Sequence, residues 1–502
     1  MRSDAATLGA LFADRRPRDP DAVLLEVPGA AHLTYADADR ASGRVSHALH
    51  ALGVTPGDRV AVQVEKSPWF LLAYLGCLRA GAALLPINPA STDAEVAHVV
   101  ADAQPSLLVH DPSRTPPPGP EARTVDAGGA GTFTDVVNEQ ADAFDDVRQR
   151  PDDLAAVLYT SGTTGAPKGA MLTHRNLAAN AATLADVWGF RADDVLLHAL
   201  PVFHTHGLFV AIHCVLASGS QMVFLPRFDV DAVLAALPRC TVFMGVPTYY
   251  TRLLATPALD ADLARHVRLF TSGSAPLLEG THRAFRDRTG HAILERYGMT
   301  ETSMLTSNPL DGPRRPGTVG PPLPGVEVRV SDEHDDAVAP GTVGEVEVRG
   351  PNVFDGYWGQ SRRPAALFTP DGFLRTGDLG RLEPDGYLRL VGRSKDLIIT
   401  GGLNVYPIEV EAVLDELPGV QESAVVGVPD ADLGERVIAV VTAETGAVLD
   451  DEELRRAART RLAGYKVPKS LHRVDALPRN AMGKVQKARL RATYGAPTVA
   501  EA

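Results

Sequence analysis

The residues best suited by type and spacing to do chemistry form one run, Thr160-Ser161-Gly162-Thr163-Thr164-Gly165-Ala166-Pro167-Lys168-Gly169. Glycines let backbone N–H groups converge on an anion, the hydroxyls add donors, and Lys168 adds charge. The combination is a phosphate cradle. It is not a Walker A loop, because Pro167 stands five places after Gly162, where that motif requires glycine. By itself the run also fits a surface linker.

Four further groups carry potential chemistry. In Tyr297-Gly298-Met299-Thr300-Glu301, Thr300 can bond a phosphate and Glu301 can hold Mg²⁺, which favours carboxylate oxygens together with nucleotide phosphates. Ser272-Gly273-Ser274-Ala275-Pro276 suits close approach to a flat ring, or any tight turn. Thr376-Gly377-Asp378 precedes Gly392-Arg393-Ser394-Lys395-Asp396; Asp378 can accept both hydroxyls of a ribose and Arg393 can approach the same sugar. The plainer alternative is a β-turn with a surface ion pair, which contributes little. Pro478 to Lys484 sets a lysine on a loop, within a tract from Arg455 to Arg491 that holds twelve Lys/Arg and one acid, Asp475. Such a tract meets either an anion or solvent.

The elements that must position these groups are legible in outline. Leu154 to Tyr159 reads as a buried strand before the glycine-rich run, and Thr173 reads as the N-cap of an alanine-rich helix after it. Val60 to Val64, Ala82 to Ile87, Leu107 to Val109, Met222 to Leu225 and Val242 to Met244 read as strands, with a helix over Pro68 to Ala80. Strands alternating with helices predict helix-covered parallel sheets. Pro112 to Ala130 reads as a surface loop. The apolar run His291 to Leu294 puts the Tyr297 motif at a strand end, where parallel sheets bind ligands, and Val267 to Thr271 does the same for Ser272 to Pro276.

From about Pro316 the pattern changes. Val326 to Val330 and Val343 to Val348 alternate strictly and predict an antiparallel sheet or small barrel. Beyond Arg393 an α+β unit is expected, with helices over Ile408 to Leu417 and Asp451 to Leu462 and strands over Glu422 to Val428 and Val437 to Thr442.

Composition narrows the setting. A chain of 502 residues is long enough for two or three domains, and a net charge of −13 argues against a general nucleic-acid or membrane-surface role. Cys77, Cys214 and Cys240 are too few and too scattered for a disulfide framework or a zinc site. Met1 to Pro20 lacks an apolar signal core, and the longest apolar run, near Leu71 to Ile87, is broken by Arg79 and Gly81. A cytoplasmic setting is expected.

Taken in order, the five motifs resemble those of the adenylate-forming enzymes: acyl-CoA synthetases, luciferase-like enzymes and peptide-synthetase adenylation domains. The likeness covers essentially the whole chain. Leu200-Pro201-Val202-Phe203-His204-Thr205-His206-Gly207 with Glu295-Arg296-Tyr297-Gly298-Met299-Thr300-Glu301 looks like the malonyl-CoA synthetase branch.

The resemblance implies an acid–thiol ligase using ATP, Mg²⁺ and CoA through an acyl-adenylate. It implies an α/β fold with a large N-terminal domain, residues 1–393, and a small mobile C-terminal domain, residues 394–502. By resemblance Thr160, Ser161, Gly162, Thr163, Thr164, Gly165 and Lys168 hold phosphates, and Thr164 with Glu301 holds the metal. Ser274, Ala275, Pro276, Glu295, Arg296, Tyr297, Gly298 and Met299 flank adenine, Thr300 meets phosphate, and Asp378 and Arg393 hold ribose. Lys484 bridges the attacking carboxylate and the α-phosphate. Lying more than three hundred residues from the phosphate loop, it must be delivered by the mobile domain. Lys395 matches the hinge, and Gly401 and Gly402 would face pantetheine after rotation. Asn404 stands where some relatives carry arginine, so no phosphate role is carried over to it.

The acid pocket is expected from Thr205, His206, Ser274, Arg283 and Met304. Its polar Phe203-His204-Thr205-His206-Gly207 wall suits a small acid better than a long-chain or aryl one, although the histidines can equally be core residues. A second carboxylate would demand an arginine partner, since an unpaired charge in a pocket is expensive. Arg283 is favoured over Arg296, giving malonate as the expected substrate and methylmalonate as a second. Short-chain or aryl ligases, a stand-alone adenylation domain and an ATP or CoA sensor are the alternatives. No carrier domain is expected.

Overall fold

Runs that are apolar throughout, such as Leu107–His110 and Val242–Gly245, lie in sheet interiors and are buried along their length. The computed structural model describes residues 7–30, 32–160, 167–480 and 483–495. Among these, four sheets form the molecule.

The first sheet has six strands in the order Glu121–Thr124, Leu107–His110, Arg59–Gln63, Ala83–Pro86, Leu154–Thr160 and Lys168–Thr173. All its pairs are parallel except the last. The second has eight, in the order Ser303–Ser307, Leu294–Met299, Leu269–Ser272, Val242–Gly245, Val195–His198, Gln221–Phe224, Val23–Glu26 and His32–Thr34. Its interior is parallel and both edge pairs are antiparallel. The third is a four-stranded antiparallel sheet of Glu327–Ser331, Gly344–Arg349, Leu374–Leu382 and Leu388–Arg393. Of the two forms that the alternation allowed, the strand order is that of a sheet.

Local signals set the helices that cover these sheets. Pro68–Ala80 starts with proline in its first turn and stops at Gly81, whose φ is 73°. Thr173 caps His174–Val187 in a reciprocal box: its Oγ1 accepts from the Asn176 N–H and the Asn176 Oδ1 accepts from the Thr173 N–H.

Two expectations are corrected here. Pro112 to Ala130 is not wholly loop, because Glu121–Thr124 adds an edge strand beside Leu107–His110. Lys168 and Gly169 belong to an edge strand antiparallel to Leu154–Thr160, where an exposed lysine discourages further pairing.

The C-terminal domain is a five-stranded sheet of Leu403–Val405, Ile398–Thr400, Gly434–Ala443, Val420–Asp430 and Ser470–Arg473, with helices Pro407–Leu414, Asp451–Arg459 and Lys487–Tyr494. Two hydrophobic clusters made only of residues beyond Arg393 give it a core of its own. Its basic tract meets carboxylates: Arg461, Lys466, Arg473, Arg479, Lys487 and Arg491 pair with Glu416, Glu409, Asp451, Glu422, Glu411 and Asp396. No helix among the described residues is long and apolar enough to cross a membrane.

Candidate active site

The site forms where strand ends of the second sheet, the edge of the third and one hairpin of the C-terminal domain meet. Period-two alternation along Leu294–Met299 sorts the motif there into two faces. The motif therefore lies within a strand rather than beyond its end, and Thr300 and Glu301 occupy the turn to Ser303–Ser307.

One face meets the third sheet. The Tyr297 hydroxyl donates to Asp378 Oδ2 at 2.6 Å, and Arg393 Nε donates to Asp378 Oδ1 at 2.8 Å. Asp378 and Arg393 stand opposite each other on paired strands, so neither the β-turn nor the surface ion pair describes them. Asp378 is buried, and its ion pair fixes a carboxylate edge beside the cleft. Glu295, on the same face, is buried; desolvation pushes its carboxyl up to about 8 despite a 3.3 Å bond from the Gly317 N–H.

Glu301 is 7% exposed and accepts at 2.7 Å from the Tyr357 hydroxyl. Burial raises its pKa. The ammonium of Lys168 lies 5.4 Å from the centroid of the Tyr357 ring, so Tyr357 links the two groups. Nothing in the sequence around Tyr357 marks it; the contact with Glu301 spans 56 residues. Thr160 ends its strand opposite Lys168. Ser161, Gly162, Thr163, Thr164 and Gly165 lie outside the described residues.

Among the described residues no group of three or more His, Cys, Asp or Glu could hold a metal ion. One carboxylate with one oxygen already bonded to a phenol suits Mg²⁺, which takes one or two carboxylates and fills its shell with phosphates and water.

The second face of the strand carries Arg296, and it points the other way. Its guanidinium packs on Gly273, where a Cβ would come within 2.3 Å of Nη1. Arg296 is 3% exposed, and neither Nε nor Nη2 has a hydrogen-bond partner among the described residues. Desolvation pushes its pKa down to about 9, so it remains charged at neutral pH. Its field, added to burial, lowers His204 to about 4 and His206 well below the usual imidazole value. Both histidines are therefore neutral. His206 Nδ1 is 3.4 Å from the Ser274 hydroxyl, while its Nε2 and the buried Thr205 Oγ1 have no partner among the described residues. Ser274 holds a left-handed φ of 70°, a strained conformation typical of functional positions. Met304 is buried and sets its methyl over Gly298.

Arg283 does not join this cluster. The helix Glu279–Thr289 buries His282, Phe285 and Thr289, which turns Arg283 to solvent with its side chain 48% exposed. There it pairs with Glu279 at 3.3 Å and with Glu416 of the C-terminal domain at 3.8 Å. The expectation that Arg283 meets a second carboxylate is corrected by this placement. Ala275 and Pro276 lie on the extended stretch before that helix, half-buried and exposed respectively.

Lys484 arrives on the C-terminal hairpin. The Lys484 N–H donates to Asn480 Oδ1 at 3.0 Å, and Arg479 holds the turn by bonding the Gly483 carbonyl and Glu422. Gly483 sits against the N-terminal domain, close enough that a Cβ would be 3.1 Å from Thr248 Oγ1. Solvent still reaches the lysine through the cleft. Crowding by protein and then the Arg393 charge push its ammonium down to about 8, with Asp378 opposing. Lys395 sits in the short turn Ser394–Asp396 between the third sheet and the C-terminal sheet. Gly401 and Gly402 form the exposed hairpin between Ile398–Thr400 and Leu403–Val405, with φ of 55° and 75°.

Such a cleft brings together a buried carboxylate–arginine pair, a buried glutamate and a lysine carried on the C-terminal domain, an arrangement suited to a charged ligand. The AMP-binding enzyme model matches residues 12–358 and the AMP-binding enzyme C-terminal domain matches residues 409–484. The chain belongs to the AMP-binding enzyme family. It is an ATP-dependent acyl-CoA ligase, with Mg²⁺ as cofactor and CoA as co-substrate.

A feruloyl-CoA synthase of Amycolatopsis sp is 38% identical, with 97% of this chain and 99% of that one covered. A malonate–CoA ligase of Arabidopsis thaliana is 37% identical over 89% of this chain and 80% of the relative. ATP-bound MatB from Rhodopseudomonas palustris is 49% identical, with a TM-score of 0.95 over 98% of this chain and 99% of that one. The apo form of the same protein, equally identical and covering 99% of each chain, gives 0.83.

Proposed function

We propose that this chain is a malonate–CoA ligase that also accepts methylmalonate. One observation carries the reading: Arg296 is a buried guanidinium whose Nε and Nη2 have no partner among the described residues, and its charge is felt at His206, whose Nε2 is likewise unpartnered there. A charge left unpaired in a protein interior is costly unless a ligand completes it. A bidentate carboxylate is its natural complement. A monocarboxylate placed for attack on ATP would leave Arg296 unpaired, whereas a dicarboxylate of malonate length satisfies both ends.

In this reading residues 1–393 bind ATP and the acid, and residues 394–502 form the mobile domain that turns at Lys395. Arg296 holds the distal carboxylate, His206 and Thr205 add hydrogen bonds, and Met304 closes the pocket above C2. Asp378 accepts the ribose hydroxyls, with Tyr297 and Arg393 fixing its orientation. Thr160, the glycine-rich run, Lys168 and Thr300 hold the phosphates. Glu301 would hold Mg²⁺, which when bound neutralises triphosphate charge.

In the first step a carboxylate oxygen attacks the α-phosphorus and the bond to pyrophosphate breaks. Lys484 balances charge between the two reacting anions, an electrostatic contribution largest where water is sparse. In the second step the CoA sulfur attacks the acyl carbon, and AMP leaves with the acyl C–O bond electrons. Turning of the C-terminal domain would withdraw Lys484 and bring Gly401 and Gly402 to the cleft.

The test is pyrophosphate release over malonate, methylmalonate, acetate, octanoate, benzoate and ferulate. Malonate is expected to give the highest kcat/KM, with methylmalonate next. A preference for ferulate, benzoate or octanoate would replace this reading by that of an aryl or longer-chain ligase.

A further inference from the structure

Lys66 is 8% exposed, and no carboxylate pairs with it among the described residues. It lies in the loop after the strand Arg59–Gln63 of the first sheet, yet it reaches the second sheet. Its Nζ is 2.7 Å from His198 Nδ1 and 2.8 Å from the His198 carbonyl oxygen, and 4.3 Å from the centroid of the Phe224 ring. Phe224 and His198 are register partners on adjacent strands, so one strand pair builds the whole cage.

His198 is 1% exposed, and its other nitrogen, Nε2, lies 2.9 Å from the Gly207 carbonyl oxygen. A carbonyl only accepts, so Nε2 carries the proton, Nδ1 carries the lone pair, and Lys66 must donate to it. The direction of the chain is thereby fixed: Lys66 donates to His198, and His198 donates to Gly207. Gly207 follows Thr205 and His206 and is the second residue of the π-helical turn His206–Ile212. Its backbone is wedged against Pro201, whose carbonyl oxygen would lie 2.0 Å from an added Cβ. The backbone of the wall bearing Thr205 and His206 is thus tethered at the Gly207 carbonyl by a side chain that is itself held from the other sheet.

We propose that Lys66 is a positioning residue for the acid pocket, setting the Thr205–His206 wall through His198 and the Gly207 carbonyl. The proposal rests on the reading of that wall as the acid-binding surface. Burying an amine with no carboxylate beside it among the described residues, where desolvation lowers its pKa well below the usual lysine value, is otherwise unexplained, because an apolar side chain would pack there without burying a polar group. A lysine that donates to an imidazole and a carbonyl, and sits over an aromatic face, is instead held to one geometry.

The test measures KM separately for ATP and for whichever acid the substrate panel ranks first. Lys66→Met is expected to raise the acid KM about tenfold, the scale of one lost hydrogen bond, while the ATP KM stays within about twofold. His198→Gln keeps an acceptor for Lys66 and a donor for Gly207, so its acid KM is expected near wild type. His198→Leu keeps neither and is expected to behave like Lys66→Met, and the double variant to be no worse than either single one. In ¹⁵N-histidine spectra, Lys66→Met should move the His198 Nδ1 resonance.

Equal rises in both KM values, a His198→Leu variant with unchanged acid KM, or an unmoved Nδ1 resonance would each overturn the proposal. If Lys66→Met does not fold, the two His198 variants decide alone. A panel that ranks another acid first defeats the malonate reading and leaves this test intact, because it is then run with that acid.

Discussion

Arg296→Leu separates a binding role from a packing role because the two predict opposite signs for stability. The guanidinium is buried with Nε and Nη2 unpaired among the described residues, and burial pushes its pKa from 12.5 to about 9. At pH 7 the arginine is charged in both folded and unfolded chains, so the whole penalty for burying it is felt there. At 1.36 kcal/mol for each pKa unit, the penalty is on the order of 5 kcal/mol. Leucine removes that penalty and leaves a small void costing about 1–2 kcal/mol. The variant should therefore melt a few degrees higher than wild type.

Binding moves the other way. Two charge-assisted hydrogen bonds to a distal carboxylate are worth about 1.5–3 kcal/mol each. Their loss should lower kcat/KM for malonate by at least about 100-fold, taking 1.36 kcal/mol for each decade. Acetate has no distal carboxylate, and its kcat/KM should stay within about fivefold. The assays are differential scanning calorimetry and coupled pyrophosphate release with each acid. A lower melting temperature together with equal losses for malonate and acetate would refute the reasoning, because that pair of results describes a structural arginine.

Lys484→Ala should remove most adenylate formation yet leave added acyl-adenylate able to react with CoA, as followed by thioester absorbance. Because the ammonium is the active form and its pKa is lowered to about 8, wild-type kcat/KM for pyrophosphate release should fall as pH rises through that value. A profile flat to about pH 9.5 would remove Lys484 from that role. Lys395→Pro fixes φ at the expected pivot, so adenylation should survive and thioester formation should fail; equal losses in both half-reactions would argue against a hinge there. Met304→Ala should raise kcat/KM for methylmalonate relative to malonate if Met304, buried with its methyl over Gly298, closes the proposed pocket above C2.

What the sequence made legible was local. The helix Pro68–Ala80 is bounded by a first-turn proline and a terminal glycine, both readable without knowing the fold. The cap at Thr173 and the strand pattern of the parallel sheets are of the same kind. The strand Lys168–Thr173 was hidden because its first residues are a lysine and a glycine, and the partner strand supplies its structure. Tyr357 was invisible because its role depends on a contact with Glu301 far away in the chain.

The choice between Arg283 and Arg296 was readable in principle. His282, Phe285 and Thr289 mark one helix face and leave Arg283 off it. Alternation in Leu294–Met299 puts Arg296 on the face opposite Glu295 and Tyr297. What no periodicity shows is that the guanidinium is buried with two nitrogens unpartnered among the described residues, which is a property of the assembled fold.

Assignment as a malonate–CoA ligase is decided by a single turnover with ATP, Mg²⁺ and ¹³C-malonate, first without CoA and then with it, followed by ³¹P spectra and mass spectrometry. For that assignment the expected result is one pyrophosphate and one malonyl-adenylate per enzyme before CoA, and malonyl-CoA with AMP after it. Release of ADP and phosphate, or an adenylate that forms with aryl or long-chain acids and not with malonate, would contradict it.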